Sequence, residues 1–144
     1  MQDRELLTAC YDRLAEGEGG GNASAYSPLC LAYIGDAVFE LLVRSRVLAA
    51  GGNRPVNEMN RRSASLVRAT SQAAMYHKIA DKLNEQEIAV MKRGRNAKSF
   101  SHAKNASIVD YRHATGLEAL FGYLYLDGQM ERLMTLFDTC MGEC

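Results

Sequence analysis

Two carboxylates stand where apolar residues are expected. Asp36 lies within AYIGDAVFE and Glu118 within ATGLEALFGYLYL, each in the middle of a stretch with helical periodicity and few other charges. A carboxylate taken out of water is costly unless it is protonated, paired with a base, hydrogen-bonded or bound to a cation. Taken singly, either acid reads as a helix-surface or salt-bridged residue. Taken together, hard oxygen ligands on facing helices suit Mg²⁺, which keeps several waters and needs only one or two protein carboxylates. Such an ion can polarise a phosphoryl oxygen and activate water, so phosphodiester hydrolysis would require no nucleophilic side chain. Gly35 beside Asp36 and Gly122 one turn after Glu118 allow a backbone or ligand to approach closely. Glu40, one turn beyond Asp36, is a candidate further ligand or a partner for Arg44, one turn further on. The chain shows no Ser/His/Asp ordering, no Gly-rich phosphate loop and no His-Glu-x-x-His pattern that would point to another hydrolase chemistry.

A hydrolase of phosphodiesters must also hold phosphates. Net charge is zero, yet residues 44–112 carry 14 Lys/Arg against 5 Asp/Glu while the rest carries 3 against 12, so the middle of the chain is strongly basic. Within it, KRGRNAKS places Arg93, Arg95 and Lys98 around a glycine and an asparagine, a natural phosphate-contact element. Lys104, Asn105 and Arg112 are further candidates, Arg112 lying six residues before Glu118. Tyr111 reads first as a packing residue and second as a stacking one. Duplex RNA is recognised mainly by shape and backbone contacts, so base-reading side chains need not be visible.

The elements that must position these groups are helical. Pro28 opens SPLCLAYIGDAVFELLVRSRVLAAGG, whose apolar positions Leu31, Ile34, Val38, Leu41, Leu42 and Val47 form a stripe ending at Gly51-Gly52. Pro55 starts a second helical stretch through Val56, Met59, Leu66, Ala73 and Ile79, with a bend expected around Ser63 to Ser65. NEQEIAVMKRGRN begins with acids and ends with bases, an orientation that suits the helix dipole, and Gly94 and Asn96 are expected to interrupt it. A polar loop is expected over residues 99–106. The last stretch gives two helices parted at Asp127-Gly128, the first apolar on nearly all sides, as a central buried helix is. Residues 2–15 are expected to form a short helix through Leu6, Leu7, Cys10 and Leu14, joined by a Gly-rich connection. The expected division is therefore an extension over 1–27 and one all-α domain over 28–144.

Composition agrees with that reading. A chain of 144 residues with 47% hydrophobic and 24% charged residues suits one domain with its own core. No apolar run nears the ~20 residues that span a bilayer, and MQDRELLTAC resembles neither a secretory nor a transit leader, so a cytoplasmic protein without a membrane partner is expected. Cys10, Cys30, Cys140 and Cys144 lack zinc-ligand spacing with His77, His102 and His113 and read as free thiols.

In order and spacing, LAYIGDAVFELLVR, SASLVRATSQA, MKRGRNAKS and ATGLEALFGYLYLDG resemble the catalytic domain of ribonuclease III, and especially its short mini-ribonuclease III subgroup. The resemblance spans about residues 29–140. It implies an all-α endonuclease fold, a helical bundle that forms a homodimer, each subunit presenting a divalent-metal site to one strand of double-stranded RNA. Asp36 falls on the family's signature aspartate and Glu118 on the glutamate of its second acidic helix, which makes both catalytic and metal-binding, with Mg²⁺ as cofactor and Mn²⁺ able to substitute. Two acids of the larger enzymes are replaced, by Ala32 four residues before Asp36 and by Thr115 three residues before Glu118, as in the mini subgroup. The metal count is left open, with waters or Glu40 to complete the shell. No double-stranded-RNA-binding domain is expected to follow, so RNA would be held by the catalytic domain through Arg93, Arg95, Lys98, Lys104 and Arg112. The implied activity is maturation of the ends of the large-subunit (23S) ribosomal RNA precursor, with a large-subunit ribosomal protein as a candidate partner. A non-catalytic dimeric RNA-binding assembly factor on the same fold is the alternative, and a helical metal phosphohydrolase of small molecules a third reading.

Overall fold

Serine followed by proline at the head of the longest apolar stretch marks where the helical body begins. In the computed structural model, which describes Ala9 and residues 22–98 and 107–142, Ser27 caps α1 (Pro28–Gly51). The Ser27 hydroxyl accepts from the Cys30 N–H at 3.1 Å, and Pro28 takes the first turn, where its missing N–H is not needed. A short 3-10 turn, Ala23–Ala25, precedes the cap, and Ala23 is buried in the core. α1 stops at Gly52, which adopts a φ of 67°.

Five further helices follow: α2 (Val56–Val67), α3 (Ala69–Ile79), α4 (Glu85–Asn96), α5 (Ile108–Leu126) and α6 (Met130–Cys140). No strand occurs among the described residues. The all-α expectation holds. Helix α5 is the axis of the bundle, with α1, α3 and α4 packed around it. Leu117, Leu120, Phe121 and Leu124 on α5 are fully buried, each such side chain contributing roughly 1.5–3 kcal/mol by leaving water. Phe39 on α1 meets Phe121 and Phe137 edge-on, at centroid distances of 5.3 and 5.9 Å, tying α1, α5 and α6 into one core.

Several boundaries differ from expectation, each for a local reason. The bend between α2 and α3 falls at Arg68, later than Ser63 to Ser65. Ser63 is buried within α2, and the carbonyl of Ser65, released by the break, accepts from the Ser71 hydroxyl at 2.6 Å and from Arg68 Nε at 3.3 Å. Gly94 does not interrupt α4. It is a buried helical position that the next helix crosses. On α1, Leu41 belongs to the outer face with Leu29, Tyr33 and Leu48, which are 40–82% exposed, while Phe39 and Val43 take the core face. Val56 likewise lies outside. The expected helix over 2–15 and loop over 99–106 lie outside the described residues, Ala9 excepted. No described helix is long and apolar enough to cross a membrane.

Candidate active site

Glycines decide how closely the helices that carry the two acids approach. A methyl group at Gly35 would strike the Glu118 carbonyl and come within 2.8 Å of the Gly122 amide, and one at Gly122 would strike the carbonyl of Leu31. Backbone therefore meets backbone where α1 crosses α5, at Asp36 and Glu118. A second such crossing lies on the other side of Glu118, where a methyl at Gly94 would sit 2.9 Å from Gly116 Cα and one at Gly116 would sit 2.7 Å from the Met91 carbonyl. These contacts bring the end of α4, with Arg93 and Arg95, against the same turn of α5. Residues distant in sequence are thus drawn to one place by four positions that lack side chains.

The two carboxyls differ in environment. Asp36 is exposed, as the helix-surface reading of a single acid allows, because α1 turns its Leu31, Val38 and Phe39 face inward and leaves Asp36 at the rim. Glu118 is largely enclosed by α5's neighbours. Burial, then a hydrogen bond with Asp36 and the Asp36 charge, push the Glu118 carboxyl up to about 8, against a smaller opposing effect of a hydrogen bond with Gln72. Among the described residues neither acid forms an ion pair. At about 8, the Glu118 carboxyl keeps its proton at neutral pH.

That arrangement fits a hard divalent cation. Among the described residues no group of three or more His, Cys, Asp or Glu side chains is placed to hold a metal, so the donor set is two carboxylates and not an all-protein cage. Mg²⁺ accepts such a set because it retains most of its water. Glu40 is not turned to this site: its carboxylate accepts from Arg44 Nε at 3.3 Å and Nη2 at 3.1 Å, the one-turn ion pair. Ala32 and Thr115 are both buried, and the Thr115 hydroxyl donates to the Tyr111 carbonyl at 3.0 Å. Neither adds a ligand.

The basic candidates separate into two groups. Arg93, Lys98 and Arg112 are exposed, and Arg95 is half-buried, donating to the Tyr76 hydroxyl at 3.3 Å and to Asn96 at 3.1 Å. Arg93 and Arg95 flank Gly94 at the α4–α5 crossing, the Arg95 N–H near Gly116 two residues before Glu118, and Arg112 lies six residues before Glu118 on α5. Lys104 is outside the described residues. Sequence reasoning missed Gln72, a polar residue 3% exposed on the buried face of α3 formed with Ala69, Ala73, Tyr76 and Ile79. The available signal was its register: it falls on the core face of an amphipathic helix. Also missed were Arg61, Arg62 and Arg68 around the α2–α3 junction, all exposed.

A bundle wound about one buried helix, with paired carboxylates at a close helix crossing, is a domain of the ribonuclease III class. Residues 29–129 match the family model described as "Ribonuclease III domain". The chain belongs to the ribonuclease III family of endoribonucleases, and within it to the mini-ribonuclease 3 group. It is 49% identical over 107 residues to a mini-ribonuclease 3 of Clostridium tetani, covering 74% of this chain and 71% of that one. It is also 49% identical over 112 residues to a mini-ribonuclease 3 of Symbiobacterium thermophilum, covering 78% and 85% respectively. A crystal structure of a Fusobacterium nucleatum protein superposes with a TM-score of 0.74 at 30% identity, over 82% of this chain and 93% of that one.

Proposed function

We propose that this chain cleaves double-stranded RNA as a divalent-metal-dependent endoribonuclease, with Asp36 and Glu118 as its catalytic, metal-binding pair. The observation that carries the reading is the Glu118 carboxyl, largely enclosed where α1 crosses α5 beside Asp36 and without a cationic partner among the described residues. Mg²⁺ or Mn²⁺ held there would supply charge at a phosphoryl oxygen and a water of lowered pKa. The chain's own residues do the rest. Asp36, at the rim, opens the site to solvent and substrate, while Glu118, below it, is fixed by the glycine crossings. Arg93, Arg95, Lys98 and Arg112, with Lys104, grip phosphates on either side of the scissile position and read no sequence.

The active form is a homodimer. Leu29, Tyr33, Leu41 and Leu48 leave an apolar face along α1, with Tyr33 82% exposed and Asp36 three residues beyond it. A second copy on this face buries it and sets two sites along one duplex. The expected result is that Tyr33→Asp shifts the protein to monomer in light scattering. For substrate, membership in the mini group favours the duplex formed by the ends of the large-subunit (23S) ribosomal RNA precursor, with a large-subunit ribosomal protein aiding its delivery. Division of the chain into an extension over 1–27 and a catalytic domain over 28–144 accompanies this reading.

The test is cleavage of precursor ribosomal RNA by purified full-length protein with mapped product ends. Discrete cuts that need Mg²⁺ or Mn²⁺ are expected. Duplex binding that persists in chelator with no cutting at any metal concentration would instead favour the non-catalytic assembly factor.

A further inference from the structure

Beside Asp36, the polar side chain of the described residues that acts on Glu118 is Gln72. Thr115 is engaged with the Tyr111 carbonyl, Glu40 with Arg44, and Ala32 carries no donor. Gln72 is left. It is 3% exposed on a helix face otherwise made of Ala69, Ala73, Tyr76 and Ile79, where a leucine would fill the space without burying an amide. Its placement follows from the packing of α3 on α5. Tyr76 lies against Gly116, since a methyl there would be 3.0 Å from its ring, and Gln72 lies one turn before Tyr76. That turn sets the amide beside Glu118, near enough to act on its carboxyl.

We propose that Gln72 is a positioning residue of the metal site, its side-chain N–H donating to the Glu118 carboxylate and holding it turned toward Asp36. The proposal rests on the reading of Asp36 and Glu118 as the metal pair. A neutral donor is the group this position calls for. Lysine would neutralise the pair and compete with the cation, and a third acid would add repulsion to two carboxyls already in contact. An amide orients Glu118 and leaves both negative charges for the ion. Hydrogen-bond partners of metal ligands commonly change metal affinity or activity by roughly 10–100-fold when removed.

The test uses Gln72→Leu and Gln72→Met in the full chain, both of similar length and neither able to donate. Mn²⁺ is titrated without RNA and followed by electron paramagnetic resonance, alongside thermal unfolding, duplex binding in EDTA, and steady-state cleavage. Expected are an Mn²⁺ affinity weakened by roughly 10–100-fold, a lower kcat that recovers at high metal, and unchanged KM and duplex affinity. Unchanged Mn²⁺ affinity in a folded variant would overturn the proposal, as would failure of both variants to fold, which would make Gln72 a core residue only. Asp36→Asn in the same titration separates the underlying reading: if it binds Mn²⁺ like the wild type, the metal pair is wrongly assigned, whatever Gln72 does.

Discussion

Two glutamates with nearly opposite fates stand on neighbouring helices. Glu87 on α4 is 1% exposed, yet every part of its carboxylate is answered: Arg132 donates from Nε and Nη2 at 2.9 Å each, and the Asn84 N–H donates at 3.0 Å. Burial alone would raise its pKa, but the Arg132 hydrogen bonds, the Asn84 N–H and the Arg132 charge outweigh it and hold the carboxyl below its ordinary range. The same Arg132 also donates to the Lys82 carbonyl at 2.8 Å, closing α6 onto the start of α4. Glu118 has no such answer. It faces Asp36 and one amide, and its carboxyl is pushed up to about 8. A buried acid that the protein neutralises holds the fold together; a buried acid left with a like charge is kept for something the chain does not itself contain.

The comparison can be broken most forcefully at Glu118. Replacing Glu118 with Gln should lower RNA cleavage by at least about 10²–10³-fold while the protein stays folded, since one of two like-charged groups is removed. Activity assays paired with thermal unfolding would show whether loss of function and retained stability go together. The counterpart is Arg132→Met, which strands Glu87 uncompensated and should cost about 3–5 kcal/mol of stability. Below the lowered Tm, cleavage per folded molecule should be unchanged.

Acidity separates the two more finely. Because folding raises the Glu118 pKa from its unfolded value of 4.5 to about 8, the metal-free protein should lose stability as pH climbs between those values, by up to a few kcal/mol. Glu118→Gln should flatten that slope. Glu87 runs the other way, its contribution present above the unfolded value and lost as pH falls through the folded one. Denaturant unfolding in EDTA carried from well below 4.5 to above 8 would reveal a curve falling at both ends, on the acid side from Glu87 and on the alkaline side from Glu118. The smallest effect is expected at the basic rim: Arg95→Ala should weaken duplex binding at all sequences alike and reduce its salt dependence by roughly one phosphate contact.

Much of this was legible in the chain. Ser27-Pro28, Gly51-Gly52 and Asp127-Gly128 mark helix ends because caps and turns are local chemistry, and α5 reads as central because it is apolar on every side. The Asp36 and Glu118 pair was found through their apolar surroundings and through family likeness. What stayed hidden depends on contacts across the fold. Gly94 looks like a helix breaker until α5 is seen to cross it at Gly116. Glu87 looks like an ordinary first-turn acid because Arg132, its partner, is 45 residues away. The exposure of Asp36 was left open by the sequence, because which side of a mostly apolar helix faces the core is settled by packing, and α1 leaves a second apolar face outside.

The central claim is that the uncompensated pair at the α1–α5 crossing is a hydrolytic metal centre. Its most direct test follows one labelled RNA duplex with wild-type protein and Asp36→Asn, measuring binding in EDTA and cleavage after Mg²⁺ is added. Equal binding by both proteins, with metal-dependent cutting by the wild type alone, is the predicted result. Cutting by Asp36→Asn at the wild-type rate, or no cutting by the wild type with either Mg²⁺ or Mn²⁺, would contradict it.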